Sequence, residues 1–156
     1  MSHELKIERL VDAPPEVVFD AFVDPSVQEE LHGADQPGWT VRRCETDVRV
    51  GGTSIYAMGP DGQEPDVETR VYSVVDRPNR VVFRHSMDVQ EWSRTVETEM
   101  TITFEGRDGK TLLTMVQTGF DRAEDRDAFQ SGWPAYLDSL QAIAARPIKA
   151  RHDSGA

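Results

Sequence analysis

The spacing of apolar residues predicts a sheet followed by one long helix. Between residues 39 and 119, apolar and polar side chains alternate, as is typical of strands with one buried face. Further along, apolar residues recur at steps of three and four, which places them on one face of a helix. This helical stripe consists of Phe129, Trp133, Tyr136, Leu137, Leu140 and Ala144. We expect the stripe to cover the sheet.

Two short helices are predicted after the first strand, which begins near Leu5. Asp12 is expected to cap the first helix, because its carboxylate can accept hydrogen bonds from free backbone amides. Asp24 is expected to end this helix, since the residue before a proline avoids the helical conformation. The second helix is expected over residues 26–31.

Six further strands are predicted, and turns rich in Gly, Pro and Asn separate them. Short turns of this kind join antiparallel neighbours. The predicted strands cover residues 39–44, 53–58, 67–75, 81–85, 94–105 and 111–118. The pattern therefore predicts an α+β fold in which an antiparallel sheet packs on one long helix.

The last helix is expected over residues 122–145. Pro134 lacks an amide hydrogen and clashes with the preceding turn, so a kink or a break is expected near Gly132. We expect a single domain over residues 1–146 and a disordered C-terminal tail over residues 147–156.

Composition narrows the expected partners and location. The 156 residues contain 28 Asp and Glu against 17 Lys and Arg, which gives a net charge of −11. This charge repels phosphate backbones, so no nucleic acid partner is expected. Cys44 is the only cysteine, which excludes an internal disulfide and is typical of a reducing compartment. Because the chain shows no signal-peptide core and no run of ~20 apolar residues, we expect a cytoplasmic protein without membrane insertion.

Several segments carry a resemblance to a known family. They are VDAPPEVVFDAFVDP (11–25), DVRVGG (47–52), MGPDG (58–62), RPNRVVF (77–83), TGF (118–120), and Gly132-Trp133 followed by Leu137 and Leu140. On these segments the chain resembles the activator of heat-shock-protein-90 ATPase homologue-like domains. That family lies within the START and birch-pollen-allergen (SRPBCC) superfamily of helix-grip folds. The resemblance covers roughly residues 5–145.

The resemblance implies a START-like ligand-binding domain, in which a curved seven-stranded antiparallel sheet grips the C-terminal helix around a cavity. Members of the superfamily bind lipids and other apolar small molecules, cyclise polyketides, sequester antibiotics or contact a chaperone. One departure lies near the expected pocket mouth, where Leu31 and His32 stand in place of a tryptophan that many members have.

Strand alternation, read with the family pattern, brings a mostly apolar set of side chains to the inner face of the sheet. The candidate ligand-binding residues are Tyr56, Met58, Phe83, His85, Met100, Met115, Gln117, Trp133 and Leu137. Apolar walls with methionines and a few polar groups are typical of small-molecule pockets. The alternative is that these residues only form the core, with their polar groups satisfied internally.

Binding or sequestration of a hydrophobic small molecule between sheet and helix is the preferred function, with no catalysis assigned. One alternative is a cyclase- or dehydratase-like enzyme in which His85, Tyr56 and Gln117 converge, since an imidazole exchanges protons near neutral pH. The other is a chaperone ATPase-activator-like interaction domain. The four histidines lack the spacing of metal ligands, so no metal and no cofactor are expected.

Overall fold

The fold is an antiparallel sheet with helices packed on it, and the computed structural model describes it over residues 2–33 and 37–146. Its elements, in chain order, are β1 (His3–Val11), α1 (Pro15–Val23), α2 (Pro25–Leu31), β2 (Trp39–Glu45), β3 (Thr53–Pro60), β4 (Asp66–Asp76), β5 (Arg80–Val89), β6 (Arg94–Arg107), β7 (Lys110–Phe120) and α3 (Ala123–Ala144). A short 3₁₀ turn over Gln90–Trp92 separates β5 from β6. This order confirms the predicted α+β class and the two short helices after the first strand.

The seven strands form one curved sheet in the order β1-β7-β6-β5-β4-β3-β2, and every neighbouring pair is antiparallel. From β2 to β7 the neighbours follow the chain, whereas β1 pairs with β7. Strands β1 and β2 are therefore the two edges. Helix α3 packs against β1 and β7, and α1 contacts both α3 and β6.

Side chains alternate between the buried and the exposed face along the strands, as the sequence predicts. The buried residues of β6 are Val96, Thr98, Met100, Ile102 and Phe104. Paired residues of neighbouring antiparallel strands share one side of the sheet, and Met100 pairs with Phe83 on one flank and Gln117 on the other. The core thus lies between this face of the sheet and the helices.

The N-terminal cap of the first short helix differs from the prediction. Helix α1 is preceded by Pro14, which makes no side-chain capping hydrogen bond, so the predicted Asp12 cap is wrong. Asp12 lies three residues before the first helical residue, too far from it to occupy the capping position. Asp24 ends α1, as predicted. It also caps α2, since its Oδ1 accepts hydrogen bonds from the backbone amides of Ser26 (2.8 Å) and Val27 (3.4 Å).

Replacing this cap should lower stability modestly. Asp24→Ala is expected to reduce the free energy of unfolding by about 1 kcal/mol, because two amides of the first turn lose their acceptor. Urea denaturation would measure the loss. Asp12→Ala is the matched control and should change stability little, and an equal loss in both variants would contradict this assignment of the cap.

Helix α3 runs from Ala123 to Ala144 as one element with Pro134 inside it. Of the kink or break predicted near Gly132, the break is therefore wrong, and the kink stays a prediction. A proline removes only one helical hydrogen bond, and the packed face of the helix holds the turns on either side of it. The predicted stripe is confirmed: Phe129 and Tyr136 are half-buried, and the buried residues of α3 include Trp133, Leu137, Leu140 and Ala144.

None of the helices in the described part of the chain is long and apolar enough to cross a membrane. The predicted disordered tail over residues 147–156 lies outside the described residues. The single domain over residues 1–146 stays a prediction.

Candidate functional site

A cleft of about 560 Å³ lies between α3, the end of α2 and the strands β3 to β5. Its wall is mostly apolar. The aromatic lining residues are Trp39, Trp92, Phe129, Trp133 and Tyr136, and the larger aliphatic ones are Leu31, Met58, Met87 and Val89. Three polar side chains also line the cleft: His32, Glu68 and His85.

Helix α3 supplies one side of the cleft through residues at steps of four and three. The ring centroids of Phe129 and Trp133 lie 6.4 Å apart, and those of Trp133 and Tyr136 lie 5.2 Å apart in a T-shaped arrangement. Trp133 Nε1 donates a hydrogen bond to Gln117 Oε1 (2.8 Å), which fixes the indole against β7. These contacts hold aromatic surface in place along the cleft.

A buried charged cluster lies at the inner end of the cleft, and we call Glu68, Arg70, His32 and His85 the Glu68 cluster. Glu68 is 3% exposed and Arg70 1% exposed. Arg70 Nε donates a hydrogen bond to Glu68 Oε2, and the guanidinium lies over the rings of Tyr56 and Phe83 at 5.1 and 5.0 Å from their centroids. The ion pair and the ring faces together compensate a charge that is otherwise expensive to bury.

His32 is held in the cluster by contacts on both ring nitrogens. Its Nδ1 lies 2.8 Å from the carbonyl oxygen of Gln28, and its Nε2 lies 3.0 Å from Glu68 Oε1. A carbonyl and an ionised carboxylate are both acceptors, so His32 donates to both only when the imidazole carries two protons. The ring also stacks on Tyr56, with centroids 4.1 Å apart.

His85 is the polar lining residue without a hydrogen bond. Its side chain is fully buried, and neither ring nitrogen has a hydrogen-bond partner among the described residues. Nε2 lies 3.3 Å from Glu68 Oε2, which is close enough for electrostatic attraction, but the angles do not make a hydrogen bond. The rings of Phe129 and Trp133 stand edge-on to it, with centroids 5.9 and 6.0 Å away.

The charges of the cluster set the protonation of Glu68. Burial alone would raise the pKa of this carboxyl, but the nearby charges of Arg70, His85 and His32, with the hydrogen bond from His32, hold it well below its usual range. Burial also raises the pKa of Tyr136, whose hydroxyl donates to Gln28 Oε1 (3.1 Å). The cleft therefore contains the ionised carboxylate of Glu68 and the neutral phenol of Tyr136.

Glu68 should make the protein sensitive to acid. A carboxyl whose pKa is lower in the folded state stabilises the fold above its unfolded pKa, and that stabilisation is lost as the pH falls towards the folded value. The melting temperature is thus expected to fall progressively below about pH 5. Glu68→Gln should flatten this part of the profile, whereas Glu64→Gln, in an exposed loop, should keep the wild-type slope. Identical slopes in both variants would contradict the assignment.

The structure divides the nine predicted site residues into two groups. Met58, His85 and Trp133 line the cleft. The others are buried in the core and do not line it: Tyr56, Phe83, Met100, Met115, Gln117 and Leu137. Their role in ligand binding stays a prediction.

The residues of the enzyme alternative have separate partners. Tyr56 Oη lies 3.0 Å from Thr46 Oγ1, and Gln117 Nε2 donates to Thr98 Oγ1 (2.8 Å). His85 instead lies beside Glu68. The polar groups of Tyr56 and Gln117 are thus bound to threonines within the core, and the three residues do not share a hydrogen-bond partner.

Sequence reasoning missed Glu68 and Arg70, because charged residues in a strand are normally assigned to the exposed face. The signal that could have found them is the register between β3 and β4. Ser54 and Tyr56 face inward by the predicted alternation, and the pairing sets Ser54 opposite Arg70 and Tyr56 opposite Glu68. Both charged side chains must then face inward as well.

His32, Glu68 and His85 are residue types that bind metals, but their arrangement differs from a metal centre. Within residues 2–33 and 37–146, no three His, Cys, Asp or Glu side chains form a group that could hold a metal ion. The guanidinium of Arg70 already occupies one carboxylate oxygen of Glu68.

Comparison with known families settles the relationship that the fold indicates. Residues 12–145 match the sequence model of the family described as Activator of Hsp90 ATPase homolog 1-like protein. The chain belongs to this family. The match covers most of the AHSA1-like chain and confirms the resemblance inferred from its segments. A chaperone partner for this chain stays a prediction.

Solved structures share the AHSA1-like fold. A protein from Chromobacterium violaceum is 23% identical, with a TM-score of 0.78, over 92% of this chain and 99% of that one. A protein from Rhizobium loti is 22% identical, with a TM-score of 0.78, over 91% and 96% of the two chains. An AHSA1-like protein from Aeromonas hydrophila, solved by NMR, is 22% identical, with a TM-score of 0.70, over 90% of each. The comparison with curated proteins found no match.

Proposed function

We propose that this AHSA1-like protein binds an apolar small molecule that contains a ring, in the cleft between α3 and the sheet. The observation that carries the proposal is the cleft itself: about 560 Å³, apolar walls and a few buried polar groups at its inner end. Small-molecule sites typically measure ~300–1,000 Å³ and have this composition.

The exposure of the aromatic wall supports binding over simple core packing. Trp39 and Trp92 line the cleft and are only half-buried, so their rings keep surface in contact with solvent. A ligand in the cleft would bury that surface, and removal of apolar area from water stabilises a complex by about 25 cal/mol per Å² before the costs of association.

The arrangement of polar groups favours binding over catalysis. Glu68 and His32 are tied to each other and to Arg70 or Gln28, which makes them a fixed structural group. Tyr56 is bound to Thr46. His85 is then the single lining polar side chain in the described residues with a ring nitrogen free for a ligand, and one such group suits anchoring.

Gly132 offers a direct test, because it lines the cleft and a Cβ built on it would meet no atom within 4 Å. Saturation-transfer NMR would first screen the wild type against apolar aromatic and alicyclic compounds. Gly132→Phe is expected to project a ring into the cleft and abolish binding of the hits, without unfolding the helix. The Ser131→Phe variant carries the same ring at an exposed neighbouring position and should bind the hits with wild-type affinity.

Two results would contradict the proposal. The first is that no compound of the screen binds the folded wild type. The second is that hits bind Gly132→Phe as tightly as Ser131→Phe, which would place them elsewhere on the molecule.

A further inference from the structure

The length of the ligand can be inferred from a second cavity beside the cleft, and this inference rests on the proposed function. A cavity of about 480 Å³ lies between the end of α2 and the helix α3, and we call it the helix groove. Four residues line both the helix groove and the cleft: Leu31, Gly33, Gly132 and Tyr136. The two cavities therefore meet along one shared border.

Glycines occupy both sides of this border. Gly132 lies on α3, and a Cβ built on it would meet no atom of the described residues within 4 Å. Gly33 lies on the opposite side, where a Cβ would come within 2.5 Å of the Trp39 ring. The ring is held there by a hydrogen bond from Trp39 Nε1 to the carbonyl oxygen of His32 (3.1 Å). Neither glycine places a side chain between the two cavities, so one molecule can extend through both.

The two cavities differ in the kind of group that they fit. The cleft is lined by five aromatic side chains, which suit a ring system. The helix groove is lined along α3 by small exposed residues, which are Ala135, Ser139 and Ala142. From Gly132 to Ala142 the helix extends by about 15 Å at its usual rise of ~1.5 Å per residue. A shallow groove of this length between two helices fits a flexible chain.

The far end of the helix groove is polar. Arg146 donates hydrogen bonds to both carboxylate oxygens of Glu30 (3.3 and 3.1 Å), and the two side chains line the groove with 36% and 21% of their surface exposed. Their charges compensate each other, and the net charge of −11 disfavours an anionic ligand. Each carboxylate oxygen has a second lone pair, so a hydroxyl can still donate to Glu30. A neutral polar end group therefore fits here.

We propose that the cleft and the helix groove form one extended site for an elongated amphipathic molecule. Its ring system lies in the cleft, its aliphatic chain follows α3 through the helix groove, and a neutral hydroxyl ends near Glu30 and Ser139. Two alcohols that differ only in chain length provide the test: 2-(2-naphthyl)ethanol and 8-(2-naphthyl)octan-1-ol.

Fluorescence or calorimetric titration of the wild type should show the octanol binding at least about tenfold more tightly than the ethanol, because its chain buries additional apolar surface. The corresponding acid, 8-(2-naphthyl)octanoate, should bind more weakly than the octanol at pH 7. Tighter binding of the acid would overturn the neutral end group.

A pair of variants tests whether the additional affinity comes from the helix groove. Ala135→Trp places an indole in the groove at a position that does not line the cleft, and should remove the advantage of the octanol while the ethanol binds as in the wild type. Ala145→Trp is the matched control, since Ala145 is exposed and lines neither cavity, and it should keep the advantage. An advantage retained in Ala135→Trp would overturn the extended site while the proposed function stands. Absence of binding by both alcohols would overturn the proposed function for this class of compound, and the inference with it.

A second measurement uses the unmodified protein and does not depend on the folding of a variant. Intermolecular NOEs should connect the naphthyl protons of the octanol with Phe129 and Trp133, and its chain protons with the methyl groups of Ala135 and Ala142. Naphthyl contacts with the two alanine methyl groups, or chain contacts with neither of them, would overturn the proposed arrangement.

Discussion

Arg70→Met is expected to lower the free energy of unfolding by about 3–5 kcal/mol, because it removes the guanidinium that pairs with the buried Glu68 carboxylate. Both side chains are at most 3% exposed, so water cannot replace the lost partner. The guanidinium also lies over the rings of Tyr56 and Phe83, and methionine keeps only part of that packing. Urea denaturation at pH 7 would measure the loss.

Two controls separate the buried charge from other effects. The double variant Glu68→Gln with Arg70→Met removes both charges and should be clearly more stable than Arg70→Met alone. Arg77→Met breaks an ion pair with Asp20 whose two side chains are each 54% exposed, and should destabilise the fold far less than Arg70→Met. A loss in Arg77→Met that equals the loss in Arg70→Met would contradict the role of burial.

Trp133→Ala is expected to destabilise the fold by about 3–5 kcal/mol, because the indole is the largest buried side chain of α3 and its removal leaves a cavity. The variant also leaves Gln117 Oε1 without the donor that lies 2.8 Å away. Thermal or urea denaturation would report the change.

Trp133→Phe separates these two contributions. It retains most of the ring and loses the indole N–H, so it should cost about 1–2 kcal/mol, as expected when a buried acceptor loses its partner. An unchanged stability in Trp133→Ala would mean that α3 does not pack through this residue.

Much of the fold could be predicted from the sequence because alternation is a local property. Each residue of β6 has its side fixed by its neighbours, and the predicted inner face of Val96 to Phe104 is the buried one. The helical stripe follows from the same kind of local periodicity. Helix ends were less predictable, because Asp12 is a suitable cap by residue type and only the position of the first helical residue, Pro15, shows that it lies too far from α1.

The candidate site was harder to predict, because it depends on contacts between distant segments. Met58, His85 and Trp133 were found through alternation and the family pattern. Glu68 and Arg70 face inward because their charges compensate each other. Glu68 also contacts His32, which lies 36 positions away from it in the chain. The spacing of two between Glu68 and Arg70 places both side chains on one face of β4, but only the register with β3 shows that this face is the inner one.

The order of the sheet leaves β1 and β2 with backbone groups that could pair with a strand of another molecule. Exposed charged side chains occupy both borders: Glu4, Lys6 and Glu8 on β1, and Arg42, Arg43 and Glu45 on β2. The register of β2 also shifts between Val41 and Arg43, which interrupts the regular edge. Charges and an irregular border both oppose strand addition, so this sheet resists edge-to-edge aggregation at either end.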